Sequence, residues 1–380
     1  MPVLVGFLSV VIPWLQVARA DEEAQVREQL FLSNIHQLIF EGRRSGEGYF
    51  SADGLKMIFQ SERERGNPFY QMYVMDLDTG NTRRVSTGLG KATCGWIHPD
   101  GRKVLFAASH QDPGAIRKQG EELEKRAVGK GSRYSWSFDE YYDIYETDLQ
   151  GGPLKNLTNV RGYDAEGSWS PDGTHILFAS NRDAYGRALS SQDQQKLTQD
   201  PSYFMDLYVM KADGTEVRRL TTTPGYDGGP FFSPDGAKIV WRRFAENGAT
   251  AEVWTMNVEG TDQRQLTRLG VMSWAPYYHP SGDYIIFTTS VHGHANFELY
   301  IVDANGRSKP IRITYREGFD GLPVFSPDGK KLAWSSSRTP DRKPQIFLAE
   351  WNDGQARRLL GMPMTTDTAP MKERPRTKYP

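Results

Sequence analysis

The sequence predicts an all-β fold: a six-bladed β-propeller of four-stranded antiparallel blades, closed by its amino-terminal strand. Three observations predict it. One turn tetrapeptide recurs six times. An aromatic strand and a short R-x-L-T-like strand recur in step with it. The spacing between these elements holds along the chain.

The turn reads SADG at Ser51, HPDG at His98, SPDG at Ser170, SPDG at Ser233, HPSG at His279 and SPDG at Ser326. Apolar or aromatic residues precede each copy, and a strand-like run such as Lys238-Ile239-Val240-Trp241 follows it. Pro-Asp-Gly between two such runs marks a tight turn, because glycine takes positive φ without a steric cost. The aromatic strands start at Tyr73, Tyr145, Tyr208, Trp254, Tyr300 and Phe347. The short strands centre on Val85, Leu157, Leu220, Leu266 and Ile313, with a sixth candidate at Arg358-Leu359.

From each of the first five apolar residues to the next turn glycine the distance is 16 residues, as in Val85 to Gly101 and Ile313 to Gly329. From aromatic to apolar residue it is 12, with one 13 at Tyr300 to Ile313. Such a register defines four strands per repeat, a to d from the axis outward, and repeats of this kind are propeller blades. Leu38 to Gly54 is again 16. The segment Gln37 to Ile39 is therefore expected as the outer strand of the blade containing Phe347, so that the ring closes without long free edges. Arg357 to Leu360 is then surplus.

Composition narrows the function. The 380 residues carry 46 basic and 47 acidic side chains, without the basic excess of a nucleic-acid binder. Residues 1–20 are apolar up to Ala18-Arg19-Ala20 and read as a secretory signal peptide cleaved before Asp21. No later stretch is apolar enough to span a bilayer. The expected division is residues 1–20 signal, 34–353 propeller and 354–380 flexible tail, in a monomer that is periplasmic or secreted. Cys94 is the single cysteine, so no disulfide framework exists.

Arg-x-Leu-Thr, then Ser-Pro-Asp-Gly, then a Tyr-Val-Met-Asp-like strand resembles the WD-type or PD-type repeat of TolB-like propellers, over roughly residues 34 to 353. The resemblance implies a bacterial envelope protein. TolB also carries an α/β domain before its propeller. Here Asp21 to Leu32 is too short for one, so partnership with the Tol system does not transfer with the repeat.

Turn glycine to c-strand aromatic measures 19, 44, 35, 18, 18 and 18 residues. The length variation thus falls in the b–c loops of blades two and three, on one face, where long loops on a rigid scaffold usually bind. In blade two, Ile116 to Val128 has helical charge pairing, and Tyr134, Trp136 and Phe138 follow it as rim candidates. They either contact a ligand or pin the insertion to the ring; the second reading is favoured. On the same face, the residues six positions before each turn motif are Ser45, Ala92, Asp164, Asp227, Ser273 and Asp320, with Glu47 and Glu166 two positions on. Asp164, Asp227 and Asp320 are expected at the channel mouth, where carboxylates suit Ca²⁺ or a cationic group. In the competing reading each Asp bonds backbone amides of its own turn.

No G-x-S-x-G elbow and no H-E-x-x-H motif occurs, and no catalytic residue is assigned. The expected function is a non-catalytic scaffold for an envelope protein or extracellular ligand. The alternative is a channel-site enzyme, such as a metal-assisted polysaccharide lyase, or an accessory propeller of a hydrolase system.

Overall fold

The computed structural model describes residues 22–130 and 138–364. Six four-stranded antiparallel sheets form the ring. The innermost strands are Ser45–Phe50, Ala92–Ile97, Asp164–Trp169, Asp227–Phe232, Ser273–Tyr278 and Asp320–Phe325. Five blades take their four strands in sequence order. The sixth takes its outer strand from the amino terminus: Leu32–Gln37 pairs with Gln345–Trp351, Gln37 opposite Phe347. The Leu38 amide then donates to the Ile346 carbonyl at 2.8 Å, as the Leu220 amide does to Leu207 in blade three. The register expected from spacing is the one observed.

Because the amino-terminal strand occupies that edge, Arg357 to Leu360 cannot. They lie in a helix, Asp353–Leu360, capped by the Asn352 side chain and ended by Gly361 at φ 69°. Ala356 is fully buried and Arg357 bonds Asp283 at 2.6 Å. The flexible tail expected from residue 354 therefore does not include this helix.

The recurring motifs have identifiable work. In SPDG, the Ser hydroxyl bonds the Asp carboxylate, and the amide five residues on donates back to it, as in Ser233 with Asp235 and Lys238. His98 and His279 replace the serine, and each ring accepts the amide two residues on. His98 also reaches the Gly173 carbonyl of the next blade's turn at 3.2 Å. In R-x-L-T, the hydroxyl and the Arg converge on the residue that opens strand c. Thr314 and Arg312 bond Glu298 at 2.5 and 2.7 Å, and Thr221 and Arg219 bond Asp206. Each outer strand is thereby clamped to its neighbour. Burial pushes both acids up to about 7, against their arginines.

The apolar core lies between adjacent blades. Leu105 and Ile144 of blade two, for example, pack with Trp169 and Ile176 of blade three. The blade-two insertion contains helix α1, Ala115–Ala127, with only Ala115 and Glu122 buried. Polar contacts hold it. Arg126 bridges Glu62 of blade one at 3.2 Å and Glu122 at 2.8 Å, while Lys118 joins Asp112 and Asp139 at 2.7 and 2.8 Å. The blade-three insertion contains Arg182–Gly186 (α2), Ser191–Gln199 (α3) and a 3₁₀ turn at Pro201–Phe204. Both insertions lie on the face where the innermost strands begin.

Candidate functional site

All six innermost strands carry a β-bulge between their second and fifth residues. The third residue is left-handed in every blade: Glu47 (φ 48°), Cys94 (52°), Glu166 (59°), Gly229 (58°), Ala275 (49°) and Leu322 (55°). Five of these are not glycine, which costs roughly 1–2 kcal/mol each. A six-fold repeat of this conformation is built into the strand. It turns the third residues to the axis, where all six line one cavity of about 30 Å³. That is room for little more than a water molecule.

The fifth residues close the axis beyond it. Tyr49, Trp96, Phe231 and Tyr277, from blades one, two, four and five, meet with ring centroids 4.9 to 6.3 Å apart. The axis is thus a short blind well that opens toward the insertions.

The first residues, expected to converge, do not. Asp164 pairs with Arg182 at 2.8 Å. Asp227 takes both Arg243 nitrogens at 2.7 Å and the Trp241 indole N–H at 3.0 Å. Asp320 takes Arg338 at 2.8 Å and the Trp334 indole N–H at 2.9 Å, and Glu28, in a helix over residues 22–29, holds the same Arg338. Each carboxylate is committed inside its own blade, to side chains rather than to the turn amides. Burial pushes Asp164 up to about 6 even beside Arg182. Among the described residues no group of three or more His, Cys, Asp or Glu side chains could hold a metal ion. Each of the three aspartates expected to share a cation is instead paired with an arginine from strand b or the loop after it.

Glu47 and Glu166 are the acids that do reach the axis. Glu166 accepts from Arg242 at 2.7 Å, from the Gly229 amide at 2.5 Å and from the Tyr226 hydroxyl. Glu47 has weaker company. Thr93 lies 3.3 Å from it but stands 2.6 Å from Gln60, and its one proton serves the nearer acceptor. The Cys94 thiol is 3.5 Å away. Burial pushes the Glu47 carboxyl up, and Glu166 adds to the shift. Burial also pushes the Cys94 thiol well up, so it stays protonated and unreactive.

Of the rim candidates, Tyr134 and Trp136 lie outside the described residues. Phe138 packs on Tyr163 at 5.1 Å and on Tyr226 at 5.5 Å, so it contacts the ring beside the well. The reading from sequence missed Arg242, Tyr226 and the aromatic plug. The signals were present: aromatics recur at the fifth position of four innermost strands, and Gly229 stands where the others carry side chains. A Cβ there would lie 2.1 Å from Arg242 Nη1.

A closed ring of six four-stranded blades around a plugged axis defines a six-bladed β-propeller. The family model for the TolB β-propeller domain (PD40) matches residues 244–372. A TolB homolog of Chlorobium luteolum is 30% identical over 124 residues, 27% of this chain and 28% of that protein, so the match spans well under a third of the relative. A TolB candidate from Agrobacterium tumefaciens superposes with TM-score 0.53 at 20% identity, covering 81% of this chain and 90% of its own. An oligogalacturonate lyase of Vibrio parahaemolyticus gives 0.50 at 13%, covering 84% and 94%. The family model and these relatives support the resemblance to TolB-like propellers read from the repeat.

Proposed function

We propose that this propeller is a non-catalytic scaffold of the bacterial cell envelope, periplasmic or secreted, that binds a protein or extracellular ligand on its insertion-bearing face. The observation that carries the reading is the axis. A well of about 30 Å³ above an aromatic plug admits no polysaccharide. Asp164, Asp227 and Asp320 already hold arginines, so a Ca²⁺ ion among them would have to displace those cations. The insertions, by contrast, present broad exposed surface on a rigid ring. Relatives named as TolB homologs support an envelope setting.

The test is capture from envelope extract of the native host, comparing the wild type with a variant in which residues 111–139 are replaced by a short turn. The expected result is a partner retained by the wild type and lost by a variant that still unfolds cooperatively. Equal retention by both removes the blade-two insertion from the binding surface. Amino-terminal sequencing of exported material checks the setting: Asp21 is expected as the first residue, and an intact Met1 overturns cleavage.

A further inference from the structure

A second cavity, of about 590 Å³, opens on the insertion-bearing face. One wall is α3, whose Gln192, Asp193 and Lys196 line it, and the opposite wall is the b–c turn of blade four with Glu246 and Asn247. Tyr203 joins the walls: its hydroxyl donates to Glu246 Oε1 at 2.9 Å, and Lys196 Nζ lies 4.6 Å from its ring centre. The Ser190 cap on the Asp193 amide at 3.1 Å fixes the start of α3. The groove is thus a built junction of two loops.

Its chemistry is specific. Among the described residues the Gln192 and Asp193 side chains make no hydrogen bond, the Asp193 amide alone being used, by the Ser190 cap. Asn247 uses its carbonyl oxygen on the Ala249 amide at 3.0 Å, which leaves its NH₂ to donate. The groove therefore offers amide donors and acceptors, carboxylate acceptors and one ammonium, around a single aromatic ring. Adjacent sugar hydroxyls, each both donor and acceptor, satisfy such a set. The apolar stem of Lys196, whose ammonium stands over the Tyr203 ring, offers a surface to the C–H face of a pyranose. Size agrees, since ligand pockets run to about 300–1,000 Å³. Charge selects further: two carboxylates against one ammonium leave a negative excess, which disfavours uronates and phosphates.

We propose that this groove binds a short oligosaccharide of neutral or amino sugars and discriminates against uronates. The proposal rests on the insertion-bearing face being a binding face. Titration calorimetry of the full chain with N-acetylglucosamine tetramer, cellotetraose and tetragalacturonate tests it. One of the first two is expected to bind at least about tenfold more tightly than tetragalacturonate. Gln192→Ala/Asn247→Ala, exposed positions whose melting temperature serves as the folding control, is expected to weaken it at least about tenfold. No heat with either neutral glycan, equal binding of the uronate, or binding indifferent to the double substitution overturns the proposal. If glycan binding fails while envelope capture through the blade-two insertion persists, only the groove is lost; the reverse pattern removes the protein-scaffold reading.

Discussion

Two positions on the innermost strands, two residues apart, have opposite fates. The first holds Asp164, Asp227 and Asp320, each turned sideways onto an arginine of its own blade. The third holds Glu47, Cys94, Glu166, Gly229, Ala275 and Leu322, all facing the axis. In a regular strand, residues i and i+2 share a face. The left-handed residue in each bulge breaks that rule six times. Alignment of repeats locates a position in the ring; the local backbone decides which way it looks.

The largest expected effect comes from breaking a first-position pair. Asp227→Ala leaves the Arg243 guanidinium and the Trp241 indole N–H without their buried acceptor. A loss of about 3–5 kcal/mol is expected, read by urea unfolding. Calcium is expected to raise the melting temperature of neither protein. A loss under about 1 kcal/mol, or a calcium shift that the variant abolishes, would return Asp227 to the axis. Next comes a third-position change. Gly229→Ala puts a Cβ 2.1 Å from Arg242 Nη1 at a φ of 58°, and displacing Arg242 strips Glu166 of its cation. About 2–3 kcal/mol is expected. A neutral substitution would mean that Arg242 does not occupy the ring.

The ring was legible in the sequence because a propeller repeats one solution at fixed spacing, so the 16-residue step from Leu38 to Gly54 identified the closing strand. That same step could not say that Arg358-Leu359, well placed by its distance from Phe347, becomes a helix; occupancy of the edge decides that, and the edge partner is more than 300 residues away. The site was legible by position only. Glu47 and Glu166 were picked out beside the three aspartates, yet nothing in the linear pattern separates an acid that meets Arg182, Arg243 or Arg338 from one that turns inward. Arg242 belongs to strand b and reaches the axis across a glycine, a long-range fit that spacing does not encode.

A smaller effect sharpens the inner ring through pH. The Glu47 carboxyl is buried and its proton affinity is raised in the fold by burial and by Glu166. A carboxyl whose folded value lies above its unfolded one makes the protein less stable as pH rises through that interval. Glu47→Gln removes this term and keeps the shape. The variant should match the wild type at pH 4 and exceed it at pH 8, read by urea unfolding at the two pH values. Lower stability of the variant at pH 8 would mean that Glu47 holds a cation there.

The smallest effect tests the bulge itself. Ala275 sits at φ 49° and Ala165, one position earlier in its own strand, lies at the second position, where φ is not positive. Left-handed alanine costs roughly 1–2 kcal/mol, whereas glycine adds about 0.5–1 kcal/mol of unfolded-state entropy. Ala275→Gly should therefore stabilise by about 0.5 kcal/mol. Ala165→Gly gains nothing from the backbone and loses a fully buried methyl; blades one, four and six already carry Gly46, Gly228 and Gly321 at that place, so the ring accepts glycine there, at a cost of about 1 kcal/mol. Opposite signs from the same chemical change, one strand position apart in the repeat, are the signature of the left-handed ring. Equal signs would mean that the third residues relax to extended geometry in solution, and Glu47 and Glu166 would then share the sideways orientation of the aspartates.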